Sequence, residues 1–135
     1  MLRIHPFVMG HLIGAVMTGA IAGAFFDPEA AFIGALALFG GALVSCFICQ
    51  WRPGVEAAAW KLWPVAVFAN PVMLAALGFM TADWECVVGT QRGWGCFVAA
   101  MAIFVAGLCL LPPVGGLLWR GWKRWRSPVV QAPPT

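Results

Sequence analysis

The chain has 135 residues, a formal net charge of +3, and a composition that is 62% hydrophobic and 10% charged. Soluble domains carry about 25% charged residues because their surfaces must face water, so this composition excludes an ordinary soluble domain. It predicts a one-domain, all-α integral membrane protein. Nucleic-acid binding is not supported, because no basic patch lies outside the segments that flank the apolar runs.

Four apolar segments are long enough to cross a bilayer, which takes roughly 20 helical residues. They cover residues 6–26, 30–50, 57–80 and 96–119. None shows the alternation of polar and apolar residues that is typical of a lipid-facing strand. We therefore predict an up-down four-helix transmembrane bundle over residues 1–126, followed by a proline-rich tail over residues 127–135.

Lysine and arginine concentrate at one end of these segments. Seven of the eight basic residues fall there: Arg3, Arg52, Lys61, Arg120, Lys123, Arg124 and Arg126. The opposite end carries Asp27, Glu29, Asp83, Glu85 and the single Arg92. Because cytoplasmic loops are enriched in lysine and arginine, we expect both termini in the cytoplasm and the loop 81–96 on the periplasmic or extracellular side. The abundance of alanine, glycine and tryptophan suggests the inner membrane of a bacterium.

The first two segments carry small residues at fourfold spacing. The glycines in this pattern are Gly10, Gly14, Gly19, Gly23, Gly34 and Gly41. Small residues at this spacing let helix backbones approach closely. With the short connection Asp27-Pro28-Glu29, they predict an antiparallel helical hairpin packed through these faces. Self-association through the same faces is the alternative.

Two polar side chains lie deep in the apolar segments. Asn70 precedes Pro71 in the third segment, where the missing proline N–H predicts a kink around Val67. We expect Asn70 either to hydrogen-bond to groups freed by the proline or a neighbour, or to line a ligand cavity. His11 in the first segment is expected to be a packed, hydrogen-bonded residue, with a proton or quinone contact as the alternative.

The fourth segment contains Leu111-Pro-Pro-Val-Gly-Gly116 near its end, and this pattern disfavours a straight helix. Tryptophans and basic residues alternate after it. Such a pattern suits an interface with anionic lipid. We predict contacts with lipid headgroups for four side chains: Arg120, Lys123, Arg124 and Arg126.

The cysteines fall into two pairs. Cys86 and Cys96 lie in the outer loop, where thiols are normally oxidised, so we predict a disulfide between them. Cys46 and Cys49 form a CxxC motif near the cytoplasmic face, where apolar surroundings favour inert thiols over a redox-active pair. Four helices with a CxxC motif and an outer cysteine pair resemble the DsbB family of quinone-linked disulfide oxidases, although that family keeps its CxxC at the outer face.

Catalytic and metal-binding signals are few. Apart from Lys61 near the cytoplasmic end of the third segment, the four segments contain no Asp, Glu, Lys or Arg, which ion-coupled transporters usually need. Two histidines give little support to a haem or metal site, and no phosphate loop, HExxH motif or nucleophile elbow is present. We therefore predict no metal and no cofactor, and we lean against an enzyme.

The leading hypothesis is a non-catalytic subunit or accessory (assembly) factor of a larger cytoplasmic-membrane complex. Its partners would be the lipid bilayer and other membrane subunits, bound through the small-residue faces and also through the outer disulfide loop, or a second copy of itself. A small homo-oligomeric channel or carrier is the first alternative. A membrane thiol–disulfide relay protein is the second.

Overall fold

The computed structural model describes residues 4–51 and 54–127, and this part of the chain is all-helical, without a strand. Its helices are α1 (Pro6–Ala24), α2 (Pro28–Trp51), α3 (Ala59–Phe68), α4 (Pro71–Ala82), α5 (Trp84–Val87), α6 (Phe97–Cys109) and α7 (Leu111–Arg126). A 3-10 turn at Trp94–Cys96 precedes α6. Arg3, Arg52 and the predicted tail from residue 128 onward lie outside the described residues.

Three helical stretches are long and apolar enough to cross a membrane: Pro6–Ala24, Pro28–Trp51 and Trp94–Arg126. α3 and α4 form a fourth apolar stretch that is bent by 66°, and it is a further span if the pair crosses as one unit. An all-helical protein with helices of membrane-spanning length is thus confirmed. The four-helix bundle and the orientation of the termini stay predictions. We call the end that carries residues 83–96 the outer end and the opposite end the inner end.

α1 and α2 pack as an antiparallel hairpin with almost no space between their backbones. A Cβ atom on Gly19 would overlap the carbonyl of Gly34, and one on Gly23 would overlap the carbonyl of Ala30. A Cβ atom on Gly34 would lie 2.6 Å from the carbonyl oxygen of Gly19. The predicted hairpin therefore depends on three of the predicted glycines.

α1 also packs against α7, nearer the inner end. A Cβ atom on Gly10 would lie 2.6 Å from the carbonyl oxygen of Gly115 and 3.0 Å from the Cα of Gly116. Gly14 faces Pro112 at 3.2 Å in the same way. The sequence pattern identified Gly10 and Gly14 as packing residues, but it did not identify α7 as the helix they contact.

The predicted break at Leu111–Gly116 lies one residue earlier in the structure, at Leu110. Pro112 and Pro113 occupy the first turn of α7. Backbone N–H groups in the first turn have no acceptor within the helix, so the absence of these groups in proline does not disrupt it. α7 is therefore helical through Gly115 and Gly116. With the 3-10 turn at Trp94–Cys96, α6 and α7 form a stretch of 33 residues, Trp94–Arg126.

The kink predicted around Val67 lies at Ala69 and Asn70, which separate α3 from α4. α4 leaves the bend to pack along α6. The outer half of the molecule therefore contains two helix pairs, the α1–α2 hairpin and the α4–α6 pair.

The contact between α1 and α2 predicts opposite effects for two glycines of the same helix. Gly34→Ala should lower the free energy of unfolding by about 1–3 kcal/mol, because the added methyl group overlaps the Gly19 carbonyl. Gly40→Ala should raise it by about 0.5–1 kcal/mol, since nothing lies within 4 Å of that position and alanine favours the helix. Unfolding in mixed detergent micelles measures both. Equal effects from the two variants would contradict the close α1–α2 contact.

Candidate functional site

Asn70 caps α4. It is 1% exposed, and its side-chain oxygen accepts a hydrogen bond from the N–H of Val72 at 2.9 Å. The same side chain lies against Gly41 of α2, where a Cβ atom would overlap it. Asn70 thus satisfies a free donor at the start of α4 and fills the space that Gly41 leaves.

Ser45 of α2 hydrogen-bonds to α3, on the other side of the break between α3 and α4. Its hydroxyl donates a hydrogen bond of 2.6 Å to the carbonyl of Ala66. In a continuous helix that carbonyl would accept from the N–H of Asn70, but this N–H bonds to the carbonyl of Val67 at 3.2 Å instead. This role of Ser45 was not predicted from the sequence. A serine on the same face of α2 as Gly41 could have indicated a hydrogen bond to the helix that is broken at Asn70-Pro71.

His11 is fully buried in α1. Its ring meets the ring of Phe7 edge to face, with 5.4 Å between centroids and 80° between planes. Within the described part of the chain, neither ring nitrogen has a hydrogen-bond partner. His11 is therefore packed as expected, but without the expected hydrogen bond. A buried polar group of this kind is costly unless water or a ligand pairs with it.

The register of the helices places these polar groups at similar depths. Gly19 and Gly34 touch across the antiparallel hairpin, so His11, eight residues toward the inner end, is level with Ala42 of α2. Gly41, the neighbour of Ala42, touches Asn70. His11 and Asn70 therefore lie at about the same level, and Ser45 lies one helical turn nearer the inner end. We call these three residues the polar layer.

The cysteines stay in two separate groups. A disulfide joins Cys86 and Cys96, which confirms that prediction. Cys46 and Cys49 are free and buried in α2. The disulfide lies beyond the outer end of α4, whereas Cys46 and Cys49 lie on the inner side of Gly41, so direct thiol–disulfide exchange between the pairs has no support here. Over the described residues, no group of three His, Cys, Asp or Glu side chains could hold a metal ion.

Arg120 differs from the other three predicted headgroup contacts. It is 7% exposed, and Nη1 donates to the carbonyls of Val55 and Ala57 at 3.0 and 2.7 Å. Nη2 donates to the carbonyl of Glu56 at 3.1 Å. Arg120 therefore joins α7 to the connection between α2 and α3.

Lys123, Arg124 and Arg126 are exposed at the end of α7. The guanidinium of Arg126 lies over the ring of Trp122, 4.2 Å from its centroid, which is a cation–π contact. Their contact with lipid headgroups stays a prediction.

The chain matches no known family model, no curated protein and no solved structure.

The hydrogen bonds of Arg120 predict a large difference between two arginines that lie one turn apart. Arg120→Gln should lower the free energy of unfolding by about 1.5–3 kcal/mol, because three carbonyls lose a charged donor. Arg124→Gln should change it little, since Arg124 is exposed. Thermal unfolding of the two variants in micelles makes the comparison. Equal stability would show that Arg120 does not hold the connection.

His5 predicts a pH dependence at the start of α1. Its Nδ1 accepts a hydrogen bond from the N–H of Phe7 at 3.2 Å, so protonation of Nδ1 removes the cap. Burial, followed by the positive charge of Arg120, lowers the pKa of His5 below its ordinary value of 6.5. A lowered pKa in the folded state means that the stabilisation is complete above 6.5 and is lost as the pH falls through the folded-state pKa.

Hydrogen exchange of the Phe7 amide should therefore accelerate, beyond the intrinsic pH effect, as the pH falls from neutral through the lowered pKa of His5. His5→Asn is the control, because asparagine can cap the helix but does not titrate. The same acceleration in His5→Asn would exclude His5 as the titrating group.

Proposed function

We propose that this protein is a non-catalytic subunit or accessory (assembly) factor of a larger cytoplasmic-membrane complex, and that it docks through its outer loop, residues 83–96. The observation that carries the proposal is Trp94, which is 94% exposed on a segment closed by the Cys86–Cys96 disulfide.

The small-residue helix faces are occupied within the chain. Gly10 and Gly14 contact α7, Gly19 and Gly23 contact α2, and Gly41 contacts Asn70. A partner that used these faces would first have to separate the helices. This favours intramolecular packing over self-association as the role of these glycines, and it directs the search for a partner surface to the outer end.

The outer loop offers features of a binding surface. Its backbone turns at Gly89 and Gly93, whose φ angles of 77° and 134° suit glycine. The disulfide restricts the free loop, and a restricted loop loses less conformational entropy when it binds. Exposed tryptophans frequently supply a large share of binding energy at protein interfaces. Trp94 is therefore the side chain that we expect to contact a partner.

Site-specific photo-crosslinking in the source membrane tests the proposal. A benzophenone amino acid in place of Trp94 should give an adduct of one reproducible mass with another membrane protein, because the partner covers this position. The matched control is Trp125, which is 83% exposed at the inner end and should give no such adduct. Native mass spectrometry after mild extraction should show the same heteromeric mass.

Two further results decide between hypotheses. The adduct should be lost in Cys86→Ser/Cys96→Ser if the closed loop presents Trp94. A homo-oligomer without a partner, together with no adduct at position 94, would contradict the subunit hypothesis and favour a channel or carrier. Flux into vesicles that is abolished by Asn70→Leu would then support that alternative.

A further inference from the structure

A cavity of about 340 Å³ separates the two helix pairs in the outer half. α1 and α2 form one wall, and α6 with the start of α4 forms the other. Every lining side chain is apolar or a glycine, with Ala22, Ile33 and Met101 among them. Pockets of roughly 300–1,000 Å³ are the size that holds small ligands.

The cavity runs along the helices. Along α1 and the turn that follows it, the lining residues extend from Gly19 to Phe26, which is about 10 Å at 1.5 Å per residue. Leu38, Val72 and Leu108 line its deep end, toward the polar layer. Its extent and its apolar lining suit an apolar chain of about that length.

Aromatic rings line the outer mouth of the cavity, and two acidic residues flank the lining residues in sequence. Phe26 and Phe104 line it and contact each other edge to face, with centroids 5.8 Å apart. Asp27 directly follows Phe26, and Glu29 directly precedes the lining residue Ala30; both acidic side chains are exposed. Aromatic faces attract ammonium groups, and nearby carboxylates add electrostatic attraction. The mouth is therefore complementary to a cation, and the interior to an apolar chain.

We propose that this cavity binds an amphipathic ammonium compound. Its alkyl chain lies between the α1–α2 hairpin and α6, and its cationic head lies against Phe26 and Phe104 beside the carboxylates of Asp27 and Glu29. The binding is independent of the docking proposed for Trp94. The acyl chain of an ordinary bilayer lipid is the competing occupant.

The probe is an alkyltrimethylammonium that carries a diazirine in a chain matched to the depth of the cavity. After photolysis in proteoliposomes, peptide mass spectrometry should locate the label on lining residues such as Met101 and Phe104. In Asp27→Asn/Glu29→Gln, labelling at these residues should fall about tenfold. Ala37→Phe should reduce it as well, because the ring fills the cavity that Ala37 lines.

Two controls separate the site from its surroundings. Asp83→Asn/Glu85→Gln removes the same charge from residues of the outer end that do not line the cavity, and it should leave labelling unchanged. An equal decrease in this variant would show that the effect comes from general surface charge, and it would overturn the proposal. An alkyl sulfate probe of the same length should label weakly. Equal labelling by both probes would show that the cavity takes an alkyl chain of any charge, as it would from a bilayer lipid, and would also overturn it.

Each variant must first pass a check of folding. Three cysteines should react with an alkylating reagent under denaturing, non-reducing conditions, because Cys46, Cys49 and Cys109 are free and the other two are paired. A variant with five reactive cysteines has lost the disulfide. If Asp27→Asn/Glu29→Gln fails in this way, Asp27→Glu/Glu29→Asp, which preserves both charges, is compared with the unmodified protein in its place. Lost labelling in that charge-preserving variant would contradict a charge-based mouth.

Discussion

The rest of the structure depends on how closely α1 approaches its two neighbours. It meets α2 through Gly19 and Gly23 and α7 through Gly10 and Gly14. A Cβ atom would overlap a neighbouring backbone or side-chain atom at the first three positions and would be tightly packed at Gly14. Within a bilayer, lipid tails are as apolar as leucine, so helices associate through close van der Waals contact rather than by removal of apolar surface from water. The positions of α2 and α7 are therefore both set by their packing against α1.

The break between α3 and α4 is possible because α2 supplies the groups that a broken helix requires. Ser45 donates to the carbonyl of Ala66, and Gly41 leaves room for Asn70, which caps the next helix. Unpaired backbone groups are costly in an apolar environment, and these two contacts reduce that cost. The bend then directs α4 toward α6, and the space between the two helix pairs becomes the cavity.

Much of this fold follows from local sequence. Apolar segment length predicted the helices, and fourfold glycine spacing predicted the α1–α2 contact. Contacts between residues distant in the chain could not be predicted from the sequence. Arg120 resembles its basic neighbours in sequence, but in the structure it lies where α7 passes the carbonyls of residues 55–57. His11 could be predicted as buried, whereas the sequence did not show that its ring nitrogens find no hydrogen-bond partner among the described residues. The cavity likewise depends on the direction of the bend, which Pro71 alone does not determine.

The two halves of the molecule differ in what they can do. In the inner half, the glycine contacts of α1 with α7, the hydrogen bonds of Arg120 and the polar layer join helices that are distant in sequence, so a change in one displaces its neighbours. In the outer half, an apolar cavity lies between the two helix pairs, and Phe26 contacts Phe104 across it. The same end of the molecule carries the loop that is closed by the disulfide. A ligand or partner can therefore bind at the outer end without breaking the contacts that hold the inner half, which is why both proposed interactions lie there.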